Sequence, residues 1–175
     1  MKGVSDMRSD TEQQDIAMSQ LAGKYLTCNL DEETYGLEIL KVQEIIGMQD
    51  ITKVPRTPEY VKGVINLRGK VIPVVDLRMK FGMEEVETTR KTCIIVIQVS
   101  RGVRKVITGI VVDEVSEVLN ISAEEIEPSP SFGTQIDTAF ILGMAKTKDE
   151  VKILLDIDKV LSDGEIEALS QAATN

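Results

Sequence analysis

Histidine and tryptophan are missing from this 175-residue chain, aromatic residues amount to 3%, and there are two cysteines, Cys28 and Cys93. Without histidine the commonest general base and the commonest metal ligand are gone. Catalysis would have to run on carboxylates, lysine or serine, and no nucleophile is paired with a base, so neither an enzyme nor a metal site is expected. The cysteines lie far apart in apolar runs, with no Cys-x-x-Cys, and read as small core residues. Gly63, Gly69, Gly82, Gly109 and Gly143 stand singly, with no Gly-x-Gly-x-x-Gly and no P-loop, so no nucleotide cofactor is expected. The acidic groups Asp31 to Glu33, Glu84-Glu85 and Glu124-Glu125 lack the alternating ligand spacing of a calcium loop and read as solvated turns. No run approaches eighteen uncharged apolar residues, and Met1 to Gly23 is polar. Neither a membrane span nor a signal peptide is expected, which makes the cytoplasm the default compartment.

What the chain does contain is 42% hydrophobic residues and a net charge of −9. That content is enough to bury a core. Its acidity and its few stacking rings argue against nucleic acid and anionic membranes as partners. The charge is uneven: Lys53 to Lys91 carries nine cations and five anions. A basic block inside an acidic protein suits an adaptor with complementary faces, although solvated strand edges rich in Lys and Arg explain any single residue equally well.

From Lys24 onward, short Val/Ile-rich runs alternate with turn residues, and the spacing predicts strands at Tyr25 to Leu30, Tyr35 to Ile39, Val42 to Met48, Gly63 to Leu67 and Lys70 to Asp76. A helical turn is expected at Leu77 to Phe81. After a charged linker, Glu84 to Lys91, five more strands are expected at Thr92 to Val99, Val106 to Asp113, Val115 to Ile121, Phe140 to Ala145 and Val151 to Asp156. The two series are repeats. Gly36 to Ile46 aligns on Gly109 to Leu119 without a gap, and Pro55 on Pro128. After an insertion near Ser131 to Asp137, Tyr60 to Gly63 aligns on Phe140 to Gly143 and Pro73 to Leu77 on Ile153 to Ile157. Five short strands per repeat suggest small barrels, and two barrels this small should share a core. Residues 1–23 read as a tail with a weak helix near Glu12 to Leu21. Ser162 to Glu165 reads as a capping box opening a short helix, Ile166 to Ala173.

The repeats differ at one corner. Asn66-Leu67-Arg68-Gly69-Lys70 in the first copy faces Lys146-Thr147-Lys148-Asp149-Glu150 in the second, so the barrel does not need Arg68 to make its turn. Val42, Glu44 and Ile46 share one strand face, as a half-core stripe or an exposed strip carrying one acid. A fold that sets this strand beside the Arg68 corner would allow a bidentate carboxylate–guanidinium pair.

Tyr35-Gly36-Leu37, Val42-Gln43-Glu44-Ile45, Val54-Pro55, the block Gly63 to Gly69, Ile72 to Arg78, Gly109 to Val115 and Leu154-Leu155-Asp156 together resemble the CheW family of chemotaxis coupling proteins. The resemblance spans about Lys24 to Leu161. It implies an all-β fold of two intertwined SH3-like five-stranded β-barrels sharing a hydrophobic core, followed by the short C-terminal helix. The units would be about 24–83 and 91–161, with an exchange of strands between them left open, flanked by the 1–23 tail and a 162–175 helix and tail. The implied role is a non-catalytic adaptor between methyl-accepting chemoreceptors, at their cytoplasmic tip, and the regulatory domain of the histidine kinase CheA. It would be cytoplasmic and recruited to membrane-associated arrays. Matched by motif, Val42, Glu44, Arg68 and Val115 are the expected contact residues, while Gly63, Gly69, Gly109 and Gly143 keep backbone geometry at the interaction surfaces. A CheV-like adaptor, with this domain plus a receiver, is the alternative, and no receiver segment is expected after Leu161.

Overall fold

The computed structural model describes residues 19–130, 138–161 and 164–165. Its strands are β1 (Gly23–Leu30), β2 (Glu33–Glu38), β3 (Val42–Gly47), β4 (Val61–Leu67), β5 (Lys70–Asp76), β6 (Cys93–Arg101), β7 (Arg104–Val112), β8 (Glu114–Ile121), β9 (Ile126–Glu127), β10 (Ile141–Thr147) and β11 (Glu150–Leu155). Four-residue helical turns, α1 (Leu77–Lys80) and α2 (Ile157–Val160), follow β5 and β11. The ten expected strands are present, with every end within two residues of its expected position. The extra strand, β9, pairs two residues with Met144 and Ala145. A pairing that short leaves no alternation to read. The second helical turn, α2, was also not expected. The helix expected over Ile166 to Ala173, the insertion near Ser131 to Asp137 and most of the helix near Glu12 to Leu21 fall outside the described residues.

One sheet runs in the order β8-β1-β2-β11-β10-β9 and the other β3-β6-β7-β5-β4, each forming an SH3-like barrel. Sheet membership does not follow the sequence halves. β1 and β2 join the strands after Asp113, and β6 and β7 join β3, β4 and β5. The chain crosses between sheets twice, through a 3₁₀ turn at Ile39–Lys41 and at Asp113. Each exchange is sealed by a parallel pairing: Tyr35, Gly36 and Leu37 beside Ile153, Leu154 and Leu155, and Val74, Val75 and Asp76 beside Gly109, Ile110 and Val111.

Burial explains why several strands read as unbroken apolar runs. Ile94 and Val96 of β6 fill the interior of one barrel with Ile65, Ile72, Val74 and Val111. Ile95 and Ile97, on the opposite face, enter a central cluster with Leu26, Leu30, Leu37 and Leu155 from the other sheet. A strand covered on both faces has no polar side to show. The second barrel repeats the arrangement with Tyr25, Ile121, Ile126, Ala145 and Leu154 inside. Each barrel alone is of marginal size, and the central cluster supplies the apolar burial that joins them.

The repeat alignment holds in three dimensions. Asp76 N donates to Tyr60 O and Asp156 N to Phe140 O, both at 2.7 Å. The two aspartates cap α1 and α2 through their side chains. Phe81 stacks on Phe140 with ring centroids 5.2 Å apart and lies 5.7 Å from Tyr35, an aromatic seam joining the halves. Among the described residues, no helix is long and apolar enough to cross a membrane.

Candidate functional site

The β4–β5 hairpin closes on two residues, Arg68 and Gly69, at φ 50° and 88°. Positive φ at both positions matches the twist of the flanking strands, and Asn66 Oδ1 accepts from Gly69 N at 2.8 Å to hold the turn. Glycine enters this region freely, whereas an arginine does so at a cost of about 1–2 kcal/mol. In the other barrel Lys148 occupies the equivalent position at φ 54°. The two hairpins therefore share a left-handed residue at this position and differ in the side chain they raise.

Arg68 Nη2 donates to Glu44 Oε2 at 2.8 Å. The pair links β3, at one edge of its sheet, to the hairpin carrying β4 at the other edge. Arg68 is 72% exposed and Glu44 28%. The carboxylate's hydrogen bond and charge raise the guanidinium above its ordinary value, keeping it cationic. The fold does set the Glu44 strand beside the Arg68 corner, and the pair that this allows is made through one oxygen rather than two. Glu44 Oε1 is buried without a hydrogen-bond partner among the described residues, because inward-facing Glu44 sits between Val42 and Ile46 and offers one oxygen to the surface. The Val-Glu-Ile stripe is half core: Val42 packs on the central cluster and Ile46 on the barrel interior.

Val115 is not part of this seam. It lies on β8, opposite Cys28, at the edge of the other sheet, and packs on the central cluster. In its barrel Glu117 and Lys148, the repeat equivalents of Glu44 and Arg68, line a groove of about 540 Å³ with Leu119, Thr147 and Lys152. One seam is bridged and the other is open. Gly63, at φ 140°, brings its Cα so close to β4's neighbour that a Cβ would lie 2.0 Å from Thr52 O. At Gly143 the corresponding clash, with Glu127 O, is 3.0 Å. Gly109 faces Ile94, whose Cγ2 would stand 2.7 Å from an added Cβ, beside the parallel pairing with Val74. Burial pushes the Cys28 thiol up to about 12 and also raises Cys93, as expected of core residues.

This geometry agrees with what the chain is similar to. A model of the CheW-like domain matches residues 24–165. The chain belongs to the CheW family. It is 40% identical over 161 residues to the chemotaxis protein CheW of Klebsiella aerogenes, covering 89% of this chain and 95% of that one. With the CheW of Treponema pallidum the identity is 32%, covering 89% and 91%. Among solved structures, the scaffolding protein TtCheW of Thermoanaerobacter tengcongensis superposes with a TM-score of 0.71 at 39% identity, over 83% of this chain and 96% of that one.

Two features of this CheW-family chain escaped the sequence reading. Arg78, the last residue of the Ile72 to Arg78 block, is 7% exposed and reaches Asp31 Oδ1 and Asp113 Oδ2, each at 2.6 Å, while its Nε donates to Glu84 O at 2.9 Å. An arginine two residues beyond a strand reads as solvated, and burial by remote segments leaves no local signal. The second feature is a set of exposed apolar residues, Ile45 and Val71 on one barrel and Val118 and Val151 on the other. They are repeat equivalents of one another, so the alignment could have singled them out as outward positions that kept an apolar side chain in both copies.

Proposed function

We propose that this chain is a non-catalytic adaptor that joins the cytoplasmic tip of methyl-accepting chemoreceptors to the regulatory domain of the histidine kinase CheA, so that receptors control the kinase. It works in the cytoplasm, recruited to membrane-associated receptor arrays. The observation that carries this reading is the Arg68–Glu44 bridge: an exposed guanidinium on a stiff two-residue turn, held in place by a carboxylate from the opposite sheet edge. A surface pair of this kind contributes little to folding. Its use lies in presenting a fixed, planar donor, the side-chain type most enriched at interface hot spots alongside Trp and Tyr. Val42, beside Glu44 on β3, and Val115 on β8 supply apolar contact, with Gly63, Gly69, Gly109 and Gly143 preserving the backbone beneath. Ile45 with Val71 on one barrel, and Val118 with Val151 on the other, are exposed apolar positions open to further partner contact.

A pull-down of the folded chain with CheA and with a receptor fragment tests the reading. Arg68→Ala and Glu44→Ala weaken capture of at least one partner about tenfold or more, as expected for a central interface anchor. Failure of the folded wild type to bind either partner overturns the proposal.

A further inference from the structure

The two places where the chain passes between sheets carry ion pairs of opposite polarity. At Asp113, the second crossing, a carboxylate from the second half meets Arg78 of α1, from the first half, at 2.6 Å. At the first crossing, Lys41 Nζ meets Asp158 Oδ2 of α2, from the second half, at 2.7 Å. Arg78 and Asp158 are repeat equivalents, and Lys41 lies one residue beyond the position equivalent to Asp113. In both junctions the helical turn of one half grips the crossing of the other. Turn and crossing are cation and anion in the first junction, anion and cation in the second.

Such a chain has an alternative that its apolar core does not reject. The halves are homologous, and burial is non-directional. Strand β2 pairs with β11 through Gly36 and Leu154, and β7 with β5 through Gly109 and Val74, which are equivalent residues at equivalent places. A first half can therefore offer β2 and β5 to the first half of another copy, and likewise for second halves. In that like-with-like arrangement Arg78 would face Lys41, and Asp158 would face Asp113. The Arg78–Asp31 contact lies within the first half and is common to both arrangements, so the discrimination falls on Lys41 and Asp113.

We propose that these charge-reversed junctions enforce assembly of unlike halves, a fidelity device that keeps a duplicated fold from pairing like with like between copies. Both junctions are partly or fully sheltered: Arg78 is buried and Lys41 and Asp158 are mostly covered. Charges placed so are screened less by salt than fully exposed ones. Specificity of this sort comes from opposing the wrong pairing as well as favouring the right one.

The test is refolding of the full chain from urea, reading monomer recovery and oligomer distribution by light scattering after size separation. Lys41→Glu with Asp158→Lys keeps an attractive pair at its own junction, yet makes both like-with-like contacts attractive too. Its monomer recovery should fall by about half or more relative to wild type, with dimers and larger species taking the difference. Asp158→Asn keeps an acceptor for Ser100 N, which donates to Oδ1 at 2.8 Å, and removes one of the two repulsions. Its recovery should lie between the other two. Equilibrium unfolding of each variant separates pairing fidelity from stability. If the double variant does not fold, Asp158→Asn decides alone. Recovery and distribution equal to wild type in every variant that folds overturn the proposal.

Discussion

Glu44 gives one carboxylate oxygen to Arg68, at 2.8 Å, and keeps the other buried among apolar neighbours. The asymmetry means that the pair is set by the β3 register and not by the arginine. Arg68 is the exposed partner, and its exposure leaves folding almost independent of it.

Arg68→Ala is therefore expected to leave the thermal midpoint within about 2 °C of wild type, the scatter of ordinary surface substitutions. Exchange of the charges, Glu44→Arg with Arg68→Glu, should restore part of any binding lost in the single variants. Calorimetry and the pull-down check the two halves of this expectation, and an exchange that restores nothing sinks the role of the pair.

Arg78→Met removes a buried cation from two carboxylates and a carbonyl. The cost should be about 3 kcal/mol, the low end for breaking a buried pair, because Asp31 is more than half exposed and can turn to water. Asp31→Asn should cost much less, since Asp113 remains. Urea unfolding midpoints measure both, and equal losses would show that the outer carboxylate matters as much as the inner one.

Gly63→Ala and Gly143→Ala make a matched pair at equivalent positions. A Cβ at Gly63 meets backbone at 2.0 Å and a φ of 140°, whereas at Gly143 the nearest atoms are at 3.0 and 3.1 Å. Gly63→Ala should lose more than ~1 kcal/mol and Gly143→Ala less than it does. The reverse order in urea unfolding would contradict the geometry.

Ser122 N and Oγ lie 3.0 and 2.9 Å from Glu125 Oε1 and hold that carboxyl below the usual carboxylate range. A carboxyl depressed in the folded state contributes stability that is present above its unfolded value, roughly 4.3, and is lost as pH falls through the lower folded value. Glu125→Ala should be less stable than wild type at pH 7, and the gap should narrow below about pH 4. Thermal melts across that range decide it, and a gap that widens in acid reverses the assignment.

Much of the fold was legible because its signals are local. Alternation placed the strands, and a duplicated order of glycine, proline and aspartate placed the repeat. The difference between Arg68 and Lys148 within that repeat drew attention to one corner. The seam that Arg68 spans was legible only as a condition, since nothing near Val42 says which hairpin will lie beside it. Arg78 was hidden for the same reason: Asp31 and Asp113 approach it from segments 47 and 35 residues away.

By itself, then, the sequence determined ten of the eleven strands, the duplication, the residue that breaks it and the family to which these belong. Tertiary structure decided which strands share a sheet, that the halves exchange them, and that a carboxylate meets Arg68 through one oxygen. The physical reason is that strand propensity and alternation act within a few residues. The partner of a strand is chosen by burial and charge across the whole chain, as when Tyr35 comes to lie beside Ile153.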